Sequence, residues 1–164
     1  LVARKCVPQL IAPDELDNLI TPTSLGGLLL LTPAQGTSDT SLQQAFALLQ
    51  RAAAPLQATV AAGGTALLSS VSRLNGYFGL TPGGSTVDPL SGGVAGLVKT
   101  AAHEWSGIHA KALDLDSDLS AADAAQTIVG ELFLDGPIEV GISPRGGALF
   151  TPRVPSAAPE LPRS

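Results

Sequence analysis

At 164 residues, 45% of them hydrophobic and 14% charged, the chain suits one globular domain with a proper core and excludes intrinsic disorder. Its net charge of −5, with no basic run longer than Arg4-Lys5, argues against nucleic acid as a partner, which needs a basic face. No apolar stretch approaches the roughly 20 residues of a membrane helix, no apolar signal-peptide core follows Leu1-Val2-Ala3-Arg4-Lys5, and the lone Cys6 excludes an internal disulfide, which fits a reducing, cytoplasmic setting.

Leu1 to Ile11 alternates loosely and contains Pro8, which predicts an edge strand or an extended arm. Asp14 to Ile20 reads as a short helix with Pro13 near its start. Leu28-Leu29-Leu30-Leu31, between Gly26-Gly27 and Pro33, has the form of a buried parallel strand. Ser38 to Val60 gives the clearest helix, with Leu42, Ala45, Phe46, Leu49, Ala53 and Leu56 on one stripe. Ser38 or Thr40 caps it, Pro55 sits in its last turns, and Gly63-Gly64 ends it. Thr65 to Ser72 predicts a second buried strand.

Arg73 to Leu90 is a long loop of glycines, prolines and polar residues, a kind that is often functional. A helix follows over Ser91 to Trp105, burying Val94, Leu97, Val98, Ala101 and Trp105, and then a third strand over Ile108 to Leu115. Ser120 with Asp123 resembles a capping box before a helix marked by Ala124, Ile128, Val129 and Leu132. Ile138 to Ile142 and Ala148 to Thr151 flank Ser143-Pro144-Arg145-Gly146-Gly147, which predicts a closing hairpin. Pro155 to Ser164 reads as a linker. The alternation of strand and helix implies an α/β fold with a mostly parallel sheet and right-handed crossovers over residues 1–154, with no second domain.

The chemistry-bearing patterns are incomplete. A short-chain reductase needs a Tyr with a partner four residues on, so that both share one helix face and the partner tunes the phenol. The single tyrosine, Tyr77, is followed four residues later by Thr81, and Lys5, Lys99 and Lys111 have no tyrosine four residues before them. Ser91-Gly92-Gly93-Val94-Ala95-Gly96 lacks the first glycine of a dinucleotide fingerprint and does not follow a strand, so it reads as a close-packing surface. Ser69, Ser70 and Ser72 stand where a reductase strand places its serine, but with no Tyr in register they read as hydroxyls satisfied by nearby backbone. His103-Glu104 opens a zinc-helix pattern that fails at Gly107, and His109 falls on the next strand. Asp114, Asp116 and Asp118 have calcium-loop spacing, but Leu119 and Ala125 occupy the positions that need Gly and Glu. No catalytic, cofactor-binding or metal-binding residue is therefore assigned. Arg73, Tyr77 and Phe78 lie in the long loop, either as a partner-facing patch or as the lid of the local core.

Several dispersed segments over roughly residues 25–154 resemble the ketoreductase region of type I polyketide synthases, and in particular its truncated structural half. Ser91 to Trp105 is similar to that family's Gly-Leu-x-[Arg/Lys]-x-Ala-Ala-x-Glu helix, and Ala112-Leu113-Asp114-Leu115 to the strand after it. Ile138 to Ile142, Arg145-Gly146-Gly147 and Pro152-Arg153-Val154 resemble its closing hairpin, and Ser70 to Leu80 is closer to polyunsaturated fatty-acid synthases. One departure is that Ile11 runs directly into Pro13-Asp14-Glu15, where the family has a further βα unit.

The resemblance implies a truncated Rossmann-like, three-layer subdomain without catalytic residues or cofactor of its own. It would support a catalytic half that reduces a β-ketoacyl group on an acyl carrier protein with NADPH. The other synthase domains are then its partners, membranes and nucleic acids are not, and the absence of Met fits a piece of a multifunctional chain. The alternatives are a working NADPH-binding ketoreductase and a stand-alone scaffold or docking domain.

Overall fold

The computed structural model describes residues 6–18, 21–33, 36–80, 88–143 and 149–150. Five strands form one sheet in sequence order: β1 (Gly27–Leu31), β2 (Ala66–Ser72), β3 (Ile108–Leu115), β4 (Glu139–Ile142) and β5 (Leu149–Phe150). The first four are parallel and β5 runs antiparallel to β4. Three helices connect the parallel strands: α1 (Asp39–Ala61), α2 (Pro89–Glu104) and α3 (Ala121–Glu131). The result is the expected α/β architecture, a Rossmann-like three-layer fold with a mostly parallel sheet.

Local chemistry sets the element ends. The Ser38 hydroxyl accepts the Ser41 N–H at 3.2 Å, and Ser41 Oγ accepts the Ser38 N–H at 3.4 Å. This reciprocal cap satisfies two of the donors that a helix start leaves over. Ser38→Ala is expected to lower stability by about 1 kcal/mol, read as the shift in the urea midpoint at unchanged slope; no shift would show the cap to be redundant. Pro55 lies inside α1 and is buried, and its carbonyl accepts the Leu25 N–H at 3.1 Å. The helix ends where Gly63 takes φ +80 and Gly64 N–H reaches back to Thr59 O. Asp88 caps α2, with Pro89 at its first position. The Ser120 hydroxyl accepts the Asp123 N–H at the start of α3.

Strand alternation divides the core into two faces. Leu30, Leu68 and Ala110 face α1 and α2, meeting Leu49, Val94, Val98 and Ala101. Ala52, Leu56 and Ala66 continue that layer toward the strand starts. Val71, Leu113 and Leu115, at the alternate positions, face α3, together with Val140 and Ile142.

This distribution corrects the expectation that all crossovers are right-handed. The chain moves across the sheet in one direction from β1 to β4. The first two connections pass over one face and the third over the other. The third crossover therefore has the opposite hand to the first two.

Other differences are local. Residues 6–12 carry no strand, so of the two N-terminal alternatives this part takes the arm, with Val7 and Leu10 exposed. The predicted helix at 14–20 is a 3-10 helix over Pro13–Asn18, and Arg51 Nη1 donates to Leu16 O to tie it to α1. Phe46, placed on the apolar stripe of α1, is exposed, while Leu97 and Trp105 are half-buried at the core margin. α2 begins two residues earlier than predicted because Asp88 and Pro89 supply its start. The hairpin pairing of β4 with β5 is present, whereas its connecting residues and the linker at 155–164 lie outside the described residues.

Candidate functional site

In open α/β sheets, ligands bind outside the carboxyl ends of the parallel strands. Among the described residues, that edge carries residues 73–80, directly after β2, and their shape is fixed by Asp114 at the end of β3. Ser72 and Asp114 are register partners. The Asp114 carboxylate is fully buried at 0% exposure and accepts three hydrogen bonds. Oδ1 accepts the Ser72 hydroxyl at 2.8 Å and the Leu74 N–H at 2.7 Å, and Oδ2 accepts the Phe78 N–H at 2.8 Å.

A second acceptor works within the loop. Asn75 Oδ1 accepts the N–H groups of Tyr77 at 3.0 Å and Gly79 at 3.1 Å. Leu80 N–H then donates to Tyr77 O at 3.0 Å. Three residues sit at positive φ: Gly76 at 74°, Phe78 at 54° and Gly79 at 73°. For Phe78 this costs energy that the two carboxamide and carboxylate clamps offset. Gly76 lies so close to β4 that a Cβ there would stand 2.5 Å from Ile142 O.

The partner-facing candidates fall in this one place. Arg73 is half-buried, and its Nη2 donates to Leu119 O at 3.1 Å, tying the loop to the segment before α3. Tyr77 and Phe78 are half-buried, and Leu80 is 63% exposed. The loop thus lies against the local core, with Leu80 exposed beside it. Leu80 was not among the residues singled out in the loop predicted over 73–90, because a lone leucine there carries no signal of exposure.

The remaining candidates separate. Ser69 Oγ donates to Lys111 O at 2.7 Å, and Ser72 is committed to Asp114. Ser70 Oγ is buried without a hydrogen-bond partner among the described residues, as is His109 Nε2. Ser91, at the start of α2, shares a buried 2.7 Å hydrogen bond with Thr37 in the β1–α1 connection. Gly93 lets α2 approach α1, since a Cβ there would meet Leu42 at 3.0 Å. Gly93 thus serves the contact with α1, while Val94, Val98 and Ala101 of the same helix pack on the sheet. His103 and Glu104 are exposed at the end of α2, and His109 lies beyond the turn on β3.

The three aspartates at 114, 116 and 118 take different roles. Asp114 serves the loop, and Asp116 Oδ1 accepts the Asp118 N–H at 2.9 Å. No cluster of His, Cys, Asp and Glu among the described residues could hold a metal ion. Thr81, the partner position four residues after Tyr77, is outside the described residues.

Comparison with known proteins adds no identity: no family model matches the chain, and no curated protein matches it. No helix among the described residues is long and apolar enough to cross a membrane.

Proposed function

We propose that this chain is a non-catalytic, Rossmann-like structural subdomain that supports the NADPH-dependent β-ketoacyl reductase half of a cytoplasmic polyketide or polyunsaturated fatty-acid synthase. The observation that carries the reading is the Asp114-clamped loop. A fixed loop at the carboxyl edge, with Tyr77 and Phe78 half-buried and Leu80 exposed on a backbone whose shape is already set, supports docking to a partner. Pre-set loops lose little freedom on binding, which favours association. The missing Tyr pair and glycine fingerprint support the same reading from the sequence. NADPH and the acyl carrier protein then belong to the catalytic half, and β1, the outer strand of the described sheet, faces that half together with the loop.

Two measurements test this. Fluorescence titration of NADPH into the chain is expected to show no saturation up to millimolar nucleotide. Saturable micromolar binding would overturn the proposal. The chain is also expected to melt at a higher temperature with the catalytic half than alone, because a partner that binds only the folded form adds about 2.7 kcal/mol at one hundred times its Kd. Equal melting temperatures at saturating partner would count against a supporting role.

A further inference from the structure

The β3–α3–β4 connection takes α3 to the face opposite α1 and α2. About 98% of parallel connections share one hand, so a crossover of the opposite hand needs a cause. Apolar contact is a weak one here. Of the residues of α3 itself, only Ala124 and Glu131 are buried, while Ile128 packs half-buried against the core.

A charged pair supplies a stronger cause. Lys111 stands on β3 at the alternate position shared with Leu113 and Leu115, so it points to the α3 face. It is 1% exposed and is the largest fully buried side chain among the described residues. Its Nζ lies 3.8 Å from Oε2 of Glu131, the last residue of α3. The chain leaving α3 passes the same ammonium, since a Cβ on Gly136 would stand 3.7 Å from Nζ. His109, two residues earlier on the same face of β3, is half-buried.

We propose that the Lys111–Glu131 pair is a docking key that selects the face of the sheet on which α3 packs, and with it the hand of the third crossover. With α3 on the other face, the sheet would lie between the two charges. Lys111 would keep a buried ammonium without its counter-charge, which is strongly unfavourable. The correct arrangement gains little from the pair itself, because desolvation cancels most of the attraction. Its effect is to penalise the alternative, the part that buried polar groups play when they fix register.

The test uses the whole chain with Lys111→Met, Glu131→Gln, the apolar double variant K111M/E131L and the swapped pair K111E/E131K. Denaturation midpoints and amide exchange are read together. The single variants are expected to lower the midpoint and the apolar double variant to recover it. In that double variant, protection of residues 121–131 should fall at least about tenfold relative to residues 94–104, as α3 loses its unique seat. A double variant whose α3 keeps the parent ratio would overturn the proposal, since apolar packing alone would then choose the face. Should the apolar double variant not fold, the swapped pair decides: a folded swap with the parent ratio supports the key, and an unfolded swap overturns it.

Discussion

Asp114→Ala is expected to lower stability by about 4 kcal/mol, since each orphaned buried donor costs roughly 1–3 kcal/mol. The Ser72 hydroxyl can turn to Leu113 O, already 3.4 Å away. The N–H groups of Leu74 and Phe78 have no such recourse, because Asp114 is the acceptor of each. For a domain of this size that loss corresponds to a fall of about 12 °C in melting temperature. Phe78 would also lose the bond that holds it at φ 54, so the loop should relax toward the common backbone regions. Exchange protection at residues 74–80 should collapse before that of β2. Asp114→Asn keeps one carbonyl oxygen and places an amino group where the other accepted, so about half the loss is expected. A cost below about 1 kcal/mol for Asp114→Ala would show that packing, and not this carboxylate, holds the loop.

Gly76→Ala is the second large effect, expected near 3 kcal/mol from backbone strain and overpacking together. Gly76 sits at φ +74, and the new Cβ would lie 2.5 Å from Ile142 O and 3.0 Å from Ile142 C. That carbonyl cannot withdraw freely, because it accepts the Asp116 N–H at 2.9 Å and belongs to a strand paired with β3. Gly36→Ala separates the two causes. Gly36 has φ +78 with no atom within 4 Å of a Cβ, so only strain applies and about 1 kcal/mol is expected. Equal losses at the two sites, measured by urea unfolding, would remove the close approach to β4 from the account.

Much of the fold was legible because its causes are local. The run Leu28 to Leu31 between breakers, the stripe through Leu42, Leu49 and Leu56, and the caps at Ser38 and Ser120 are all written within a few residues. The N-terminal segment stayed open between an edge strand and an extended arm, because Pro8 and loose alternation suit both, and residues 6–12 take the second form. The site was half legible. Loop length drew attention to Arg73, Tyr77 and Phe78, but Asp114 showed only as a residue of the predicted third strand, because its partners are 36 to 42 residues away.

By itself, the sequence determined an α/β chain of alternating strands and helices, without the Tyr pair or the glycine fingerprint of a working reductase. Periodicity records which side of an element is apolar, and spacing records whether two groups can share one helix face. Only the tertiary structure decided that α3 crosses to the far face, that Lys111 meets Glu131 there, and that Asp114 closes on the loop. The physical reason is that an apolar stripe records that one side of a helix is buried, and not which face of the sheet buries it. The choice between faces rests on contacts between residues distant in sequence, whose worth appears only once the strands between them have paired.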